Sequence, residues 1–249
     1  RNTKDCLPIK RSVPVVNSLD SAISHGAEVL LLGIANSGGK IPDSWFSVIE
    51  DAISKGLSII NGLHDELALK YKNSLILDQW IWDVRTPQFT PPIATGKALN
   101  INNKRILCVG SDMASGKMTT SLELFEWAKK NNIKSSFIAT GQIGITVTGK
   151  GIPLDAYKVD HACGAVEKMV MDQSSKDWIL IEGQGSLFHP GSTATLPLIR
   201  GSCPTHLVLC HRAEKQNLRY PENIRIPNLK KFIELNQNLA HVFGAFPMS

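Results

Sequence analysis

A chain of 249 residues and 27.3 kDa, with 43% hydrophobic and 20% charged side chains, has the composition of a folded globular protein; disordered, collagen-like and coiled-coil classes are excluded. No apolar run approaches the ~18 residues of a membrane span, and no basic segment leads into an apolar one as in a signal peptide, so a cytoplasmic protein without membrane contact is expected. Ten basic and ten acidic residues cancel over residues 1–100, leaving the whole net charge of +5 in the second half, which suits a phosphorylated small molecule and, without a Lys/Arg stripe or aromatic platform, does not suggest nucleic acid.

The first hundred residues alternate between strand and helix patterns. Val13–Val16 reads as a short strand, and Ser18 as the cap of a helix running to about His25. Val29–Ile34 is a continuous apolar run, the mark of a buried parallel strand. It ends in Asn36-Ser37-Gly38-Gly39. A helix follows over Asp43–Lys55 with Gly56 as its stop, then a strand at Leu57–Ile60, a helix near Asp65–Tyr71 and a last strand at Ile81–Arg85. This βαβ repetition predicts a parallel sheet. The chain opens on Arg1 without a methionine, and a domain truncated at its start is expected.

Residues 87–92 hold three prolines, and the pattern breaks there. The expected organisation is a Rossmann-like domain over 1–88, a linker over 89–101 and a second domain over 102–249. That second domain restarts with the strand Arg105–Val109 and a helix over Lys117–Lys130. Further strands are predicted at Ser135–Ala139, Trp178–Ile181 and His206–Cys210, with helices at Val159–Met171 and Leu229–Leu239. Gly244-Ala245-Phe246 suggests the start of one more strand. The five cysteines show no C-x-x-C spacing, so they read as reduced thiols, and a zinc site is not expected.

The sharpest motif is Gly110-Ser111-Asp112-Met113-Ala114-Ser115-Gly116-Lys117-Met118-Thr119-Thr120. It follows a strand and opens a helix, the context of a phosphate-binding loop. Glycines let the backbone N–H groups converge on an anion, while the helix N-terminus and the Lys117 ammonium add positive charge. Two departures from the common pattern matter. Five residues separate the two glycines instead of four, and Met118 stands where a Ser or Thr would hold Mg²⁺. If magnesium is used, Thr119 and Glu182 are its candidate ligands.

Other motifs also end strands. Ile181-Glu182-Gly183-Gln184-Gly185 places a carboxylate beside the loop, able to take a proton or bind a metal. Thr140-Gly141-Gln142 lines the same predicted crevice. His189 and Glu182 are the candidate bases, and Gln142, Asp160, Arg85 and His64 the candidate substrate contacts, with Arg85 suited to a carboxylate.

These motifs together resemble a two-domain family that contains the D-glutamate N-acetyltransferases of bacterial D-amino-acid catabolism. The resemblance is carried by Gly33-Ile34-Ala35 with Gly38-Gly39, Gly62-Leu63-His64, Asp83-Val84-Arg85, Gly110-Ser111-Asp112 with Gly116-Lys117, Thr140-Gly141-Gln142, Glu182–Ser186 with His189-Pro190, and Gly201-Ser202 with Pro204. It implies a Rossmann-like domain followed by a P-loop NTPase-like domain. Departures are Ser111 and Met113 where the family's loop reads G-T-D-C, Ile143 in its T-G-Q-T-G, and Asp160-His161 in place of an acidic-aromatic pair. The loop and the Glu182 strand are also similar to dethiobiotin synthetase. The family resemblance implies transfer of an acetyl group from acetyl-CoA to the amine of an acidic amino acid, with the loop holding CoA phosphates without Mg²⁺. The dethiobiotin synthetase likeness implies an ATP- and Mg²⁺-dependent ligase or kinase. A nucleotide-sensing module without turnover is the non-enzymatic alternative. A homo-oligomer acting on a small molecule is expected, since two-domain α/β proteins are commonly symmetric oligomers.

Overall fold

A computed structural model describes residues 12–34 and 38–242. The chain divides into two compact units, Arg1–Val84 and Arg85–Ser249. Both are α/β, and both are built on parallel sheets.

The first unit holds a three-stranded sheet in the order β1 (Val29–Leu32), β2 (Ser58–Asn61), β3 (Ile81–Asp83). The crossovers are α2 (Asp43–Ser54) and the short α3 (Leu67–Lys70), and α1 (Leu19–Ser24) precedes β1. Ser18 caps α1 by accepting from the Ser21 N–H at 3.2 Å. Gly56 follows α2 at φ +83°, a left-handed turn that glycine adopts without a Cβ clash. Ile49, Ile53, Ile59, Leu63 and Leu67 form the core. Asp83 accepts from the N–H groups of Leu67 and Ala68 and from the Asn61 amide, so this strand-end acid starts α3.

The expected strand at Val13–Val16 does not form. Pro14 makes an isolated bridge, and Val13, Val15 and Val16 are exposed; a proline has no N–H to extend a ladder. Asn36 and Ser37, and the suggested strand at 244–246, lie outside the described residues.

The second unit holds a four-stranded sheet in the order β5 (Ser135–Ile138), β6 (Trp178–Ile181), β4 (Lys104–Gly110), β7 (His206–Cys210). All pairings are parallel, so the four C-terminal tips share one edge. Helices α4 (Lys117–Lys130), α5 (Gln142–Thr148), α6 (Val159–Asp172), α7 (Thr195–Ser202) and α8 (Leu229–Val242) complete the unit. Leu107, Ile138, Ile179, Ile181, Val166 and Leu198 are almost fully buried in its core, each adding about 1.5–3 kcal/mol of burial energy.

The segment expected as a linker is packed against this second unit. The buried Glu167 carboxylate on α6 accepts from the backbone N–H groups of Thr95 and Lys97, and the His161 ring meets the Pro91 carbonyl at 3.0 Å. Gly164 makes room for this course, since a Cβ there would lie 1.7 Å from the Pro92 oxygen. Helices α5 and α7 depart from the sequence reading. The first is rich in β-branched residues, poor helix formers, and the second carries Pro197 in its first turn, where a missing N–H is harmless.

Candidate active site

The loop Ser111–Gly116 connects the central strand β4 to α4. Gly116 takes φ +97° as the cap of α4, and Ala114 sits at φ +49°. The loop is tight: a Cβ on Gly110 would lie 2.5 Å from Ser115 Oγ and 2.6 Å from Lys117 Nζ. Lys117 is buried, and its ammonium donates to the Asp112 carbonyl at 2.8 Å and towards Ser115 Oγ at 3.4 Å. Burial lowers its pKa, while neighbouring Asp112 and Glu182 counter the effect. A buried cation at a helix N-terminus, ringed by a glycine-bearing loop, fits an anion.

Asp112 is the loop's anchor. Its buried carboxylate accepts from Met113 N–H at 2.7 Å, from the Arg212 guanidinium at 2.7 Å and from Arg219 N–H at 2.8 Å. These bonds tie the segment after β7 to the phosphate loop. Ser111 joins the same seam, its hydroxyl 2.7 Å from His211 Nδ1. Although Asp112 lies within the phosphate-loop motif, its carboxylate is committed to holding the loop's neighbour.

Glu182 stands at the tip of β6, next to β4. It is 3% exposed. Its Oε2 accepts from Thr140 N–H at 2.8 Å and Gly141 N–H at 3.2 Å, and its own carbonyl accepts from the Thr140 hydroxyl. Burial pushes its pKa up from 4.5 to about 7, against the pull of these two amides and of Lys117. Gly183 and Gly144 give it room. A Cβ on Gly183 would lie 1.6 Å from the Cys108 oxygen, and one on Gly144 2.3 Å from Glu182 Oε2. Gln142 opens α5 beside Gly141, and the Gln184 amide packs over Gly141, where a Cβ would meet it at 2.4 Å. Lys117, Glu182, Gln142 and Gln184 therefore gather along one sheet edge.

The other candidates have partners and positions of their own. His189 Nδ1 accepts from Gly191 N–H at 3.1 Å, which leaves Nε2 protonated to donate to the Tyr220 carbonyl at 2.6 Å. With both ring nitrogens hydrogen-bonded, His189 braces this loop. Arg85 is ion-paired with Asp155. Asp160 is exposed on the first turn of α6. His64 belongs to the first unit, where its ring covers Gly39. Thr119 is exposed and lines a groove along α4 with Glu123 and Trp127, whereas Glu182 is buried against Thr140 and Gly141. Thr120 is half-buried on the first turn of α4. Among the described residues, no group of three or more His, Cys, Asp or Glu side chains is arranged to hold a metal ion.

Sequence reasoning missed five contributors. Gln184 lay inside the quoted Glu182 motif without being singled out. Arg212 and Arg219 reach Asp112 through a long loop. Cys108 and Cys210, read as small apolar fillers, share a thiol contact beside Lys117, with Cys108 held well above the usual thiol range by that hydrogen bond and by burial.

The geometry of a strand, a glycine-bearing loop and a buried lysine opening a helix agrees with comparison to known proteins. Residues 92–246 match a model described as "Domain of unknown function (DUF1611_C) P-loop domain", and residues 1–87 match a second model described as "Domain of unknown function (DUF1611_N) Rossmann-like domain". The chain belongs to the DUF1611 family. It is 39% identical over 224 residues to a protein of Pseudoalteromonas sp named D-glutamate N-acetyltransferase, covering 88% of this chain and 67% of that one. A protein of Tritonibacter scottomollicae with the same name is 37% identical over 227 residues, 90% of this chain and 68% of its own length. A DUF1611 family protein from Anabaena variabilis, solved by crystallography at 2.30 Å, superposes with a TM-score of 0.93 at 46% identity, covering 98% of this chain and 72% of the other. In the DUF1611 frame, the first unit is Rossmann-like and the second is the P-loop domain.

Proposed function

We propose that this DUF1611 protein is a P-loop N-acetyltransferase that moves an acetyl group from acetyl-CoA to the amine of an acidic amino acid, of which D-glutamate is the first to test. One observation carries the reading: a phosphate cradle with Met118 in the magnesium-hydroxyl position shares its sheet edge with a buried carboxyl held near neutrality. The relatives named D-glutamate N-acetyltransferase, at 37–39% identity, support the same assignment.

The cradle fits a pyrophosphate on its own residues: Lys117 is buried at its centre, and no Cβ could be added to Gly110 without striking Lys117 or Ser115. Acetyl-CoA, when bound, supplies a thioester whose C–S bond breaks as the N–C bond of the amide forms, releasing the thiol. Lys117 and the N–H groups opening α4 hold the phosphate oxygens, so the negative charge is met by protein donors. Glu182 removes the proton that the attacking amine must lose. A base with a pKa near the working pH combines an adequate ionised fraction with useful basicity. Oε2 is bound by two backbone amides, which leaves Oε1 to face that proton. Met118 offers no oxygen for a magnesium ion, a difference from ATP-hydrolysing loops that favours CoA over ATP.

The test is an assay that follows thiol release from acetyl-CoA in the presence of D-glutamate, L-glutamate and D-aspartate, with mass spectrometry of the product. N-acetylation of one acidic amino acid without added metal is expected. Absence of transfer to every acidic acceptor, together with metal-dependent ATP turnover, would replace this reading with the ligase or kinase one.

A further inference from the structure

The stretch that runs from the end of β7 into the first turn of α8 is strongly basic. Between His211 and Lys231 stand six basic and two acidic residues, so this stretch carries four of the five net positive charges. It is an ordered structure and not a loose tail. Leu218 N–H donates to the Ile224 carbonyl, Ile226 N–H to the Gln216 carbonyl, and Asn217 bridges Arg225 in antiparallel fashion. Leu218 and Ile226 are buried beneath it. At its start, Asp112 fastens Arg212 and Arg219, and Ser111 meets His211.

A cavity of about 390 Å³ lies in this segment, lined by His211, Lys215, Arg225, Ile226 and Leu229 among others. Its size falls within the roughly 300–1,000 Å³ of small-molecule pockets. Lys215 and Arg225 are exposed cations at its wall, and Ile226 and Leu229 supply apolar surface. The N-terminus of the 14-residue α8 opens at the same place, with Asn228 accepting from Lys230 N–H. One lining residue, His211, is hydrogen-bonded directly to Ser111 of the phosphate loop. That contact links the cavity wall to the phosphate loop.

We propose that this cavity is a second anion subsite, which receives the 3′-phosphorylated adenosine end of CoA while the loop around Lys117 holds the pyrophosphate. The inference rests on the acetyl-CoA reading above. Coenzyme A carries two phosphate centres separated by a nucleoside, and the chain presents two cationic centres joined through the Ser111–His211 contact. Lys215 and Arg225 bind the 3′-phosphate, and Ile226 and Leu229 pack against the adenosine. ATP lacks the 3′-phosphate, so the subsite also selects CoA over ATP.

The test is calorimetric titration of the full chain with CoA, 3′-dephospho-CoA and ATP. Wild type is expected to bind CoA at least ten-fold tighter than 3′-dephospho-CoA. Lys215→Ala/Arg225→Ala, which changes two exposed side chains, is expected to bring CoA to the affinity of 3′-dephospho-CoA while leaving the latter unchanged within two-fold. Equal wild-type affinity for the two, or a preference that survives the double substitution, overturns the subsite and leaves the acetyl-CoA reading standing. Failure of both CoA forms to bind overturns the acetyl-CoA reading itself, and the subsite with it.

Discussion

Glu182 is the residue on which chemistry and stability meet. Its carboxyl is held at about 7, up from 4.5, chiefly by burial. The folded state therefore keeps a proton that the unfolded chain gives up. Its contribution to stability is complete below pH 4.5 and is lost as pH rises to about 7; at about 1.4 kcal/mol per pH unit the loss is of order 3 kcal/mol. Replacing Glu182 by Gln keeps an oxygen for the Thr140 and Gly141 amides and removes the ionisation. Glu182→Gln is expected to melt several degrees above wild type at pH 8 and close to wild type at pH 4.5, by differential scanning calorimetry. The same variant should lose at least a hundredfold in kcat/KM, the range associated with a general base, along with the inflection near pH 7 in the wild-type profile. Equal melting at pH 8, or a profile whose inflection survives, would remove Glu182 from the role of base.

At the scale of elements, the site exists because four parallel tips converge and glycines let them do so. Gly183 is the tightest point, where β6 leaves the sheet against the Cys108 carbonyl of β4. Gly183→Ala is expected to cost more than ~3 kcal/mol, because backbone on both sides must shift to admit the methyl; urea unfolding checks this, and a cost under ~1 kcal/mol would refute the packing described. Much of this arrangement was legible in the sequence. The strands β4, β6 and β7 are apolar runs ending in Gly, Glu-Gly and His, and the glycine-lysine spacing marks the loop. What was not legible is long-range or backbone-mediated. His189 is braced by a carbonyl 31 residues away, and Asp112 by an arginine 100 residues away, so neither role has a local pattern. Helix α5 was hidden by β-branched residues whose helical state is set by packing, with Gly144 fitted against Glu182. The prolines of 87–92 suggest a linker, but Glu167, a buried acid on α6 far along the chain, pins the segment to the second unit.

Over the whole molecule, charge is as informative as fold. A net charge of +5 is modest, yet four of those charges fall in 21 residues beside the phosphate loop. Such a field attracts polyanions and is screened by salt, with a Debye length of about 10 Å at 0.1 M. Affinity for CoA is therefore expected to fall several-fold between about 50 and 500 mM NaCl, whereas affinity for a neutral pantetheine fragment should not; equal salt dependence would mean that the charged segment plays no part in binding. In the proposed function, Lys117 and its loop hold a CoA pyrophosphate without magnesium. The most direct measurement is thermal melting of wild type and Lys117→Ala in EDTA with acetyl-CoA, and with ATP in the presence and absence of Mg²⁺. At a hundred times its Kd a ligand adds about 2.7 kcal/mol, or several degrees. Stabilisation of wild type by acetyl-CoA in EDTA, lost in Lys117→Ala, is the predicted result. Stabilisation by ATP only with Mg²⁺, and none by acetyl-CoA, would contradict it.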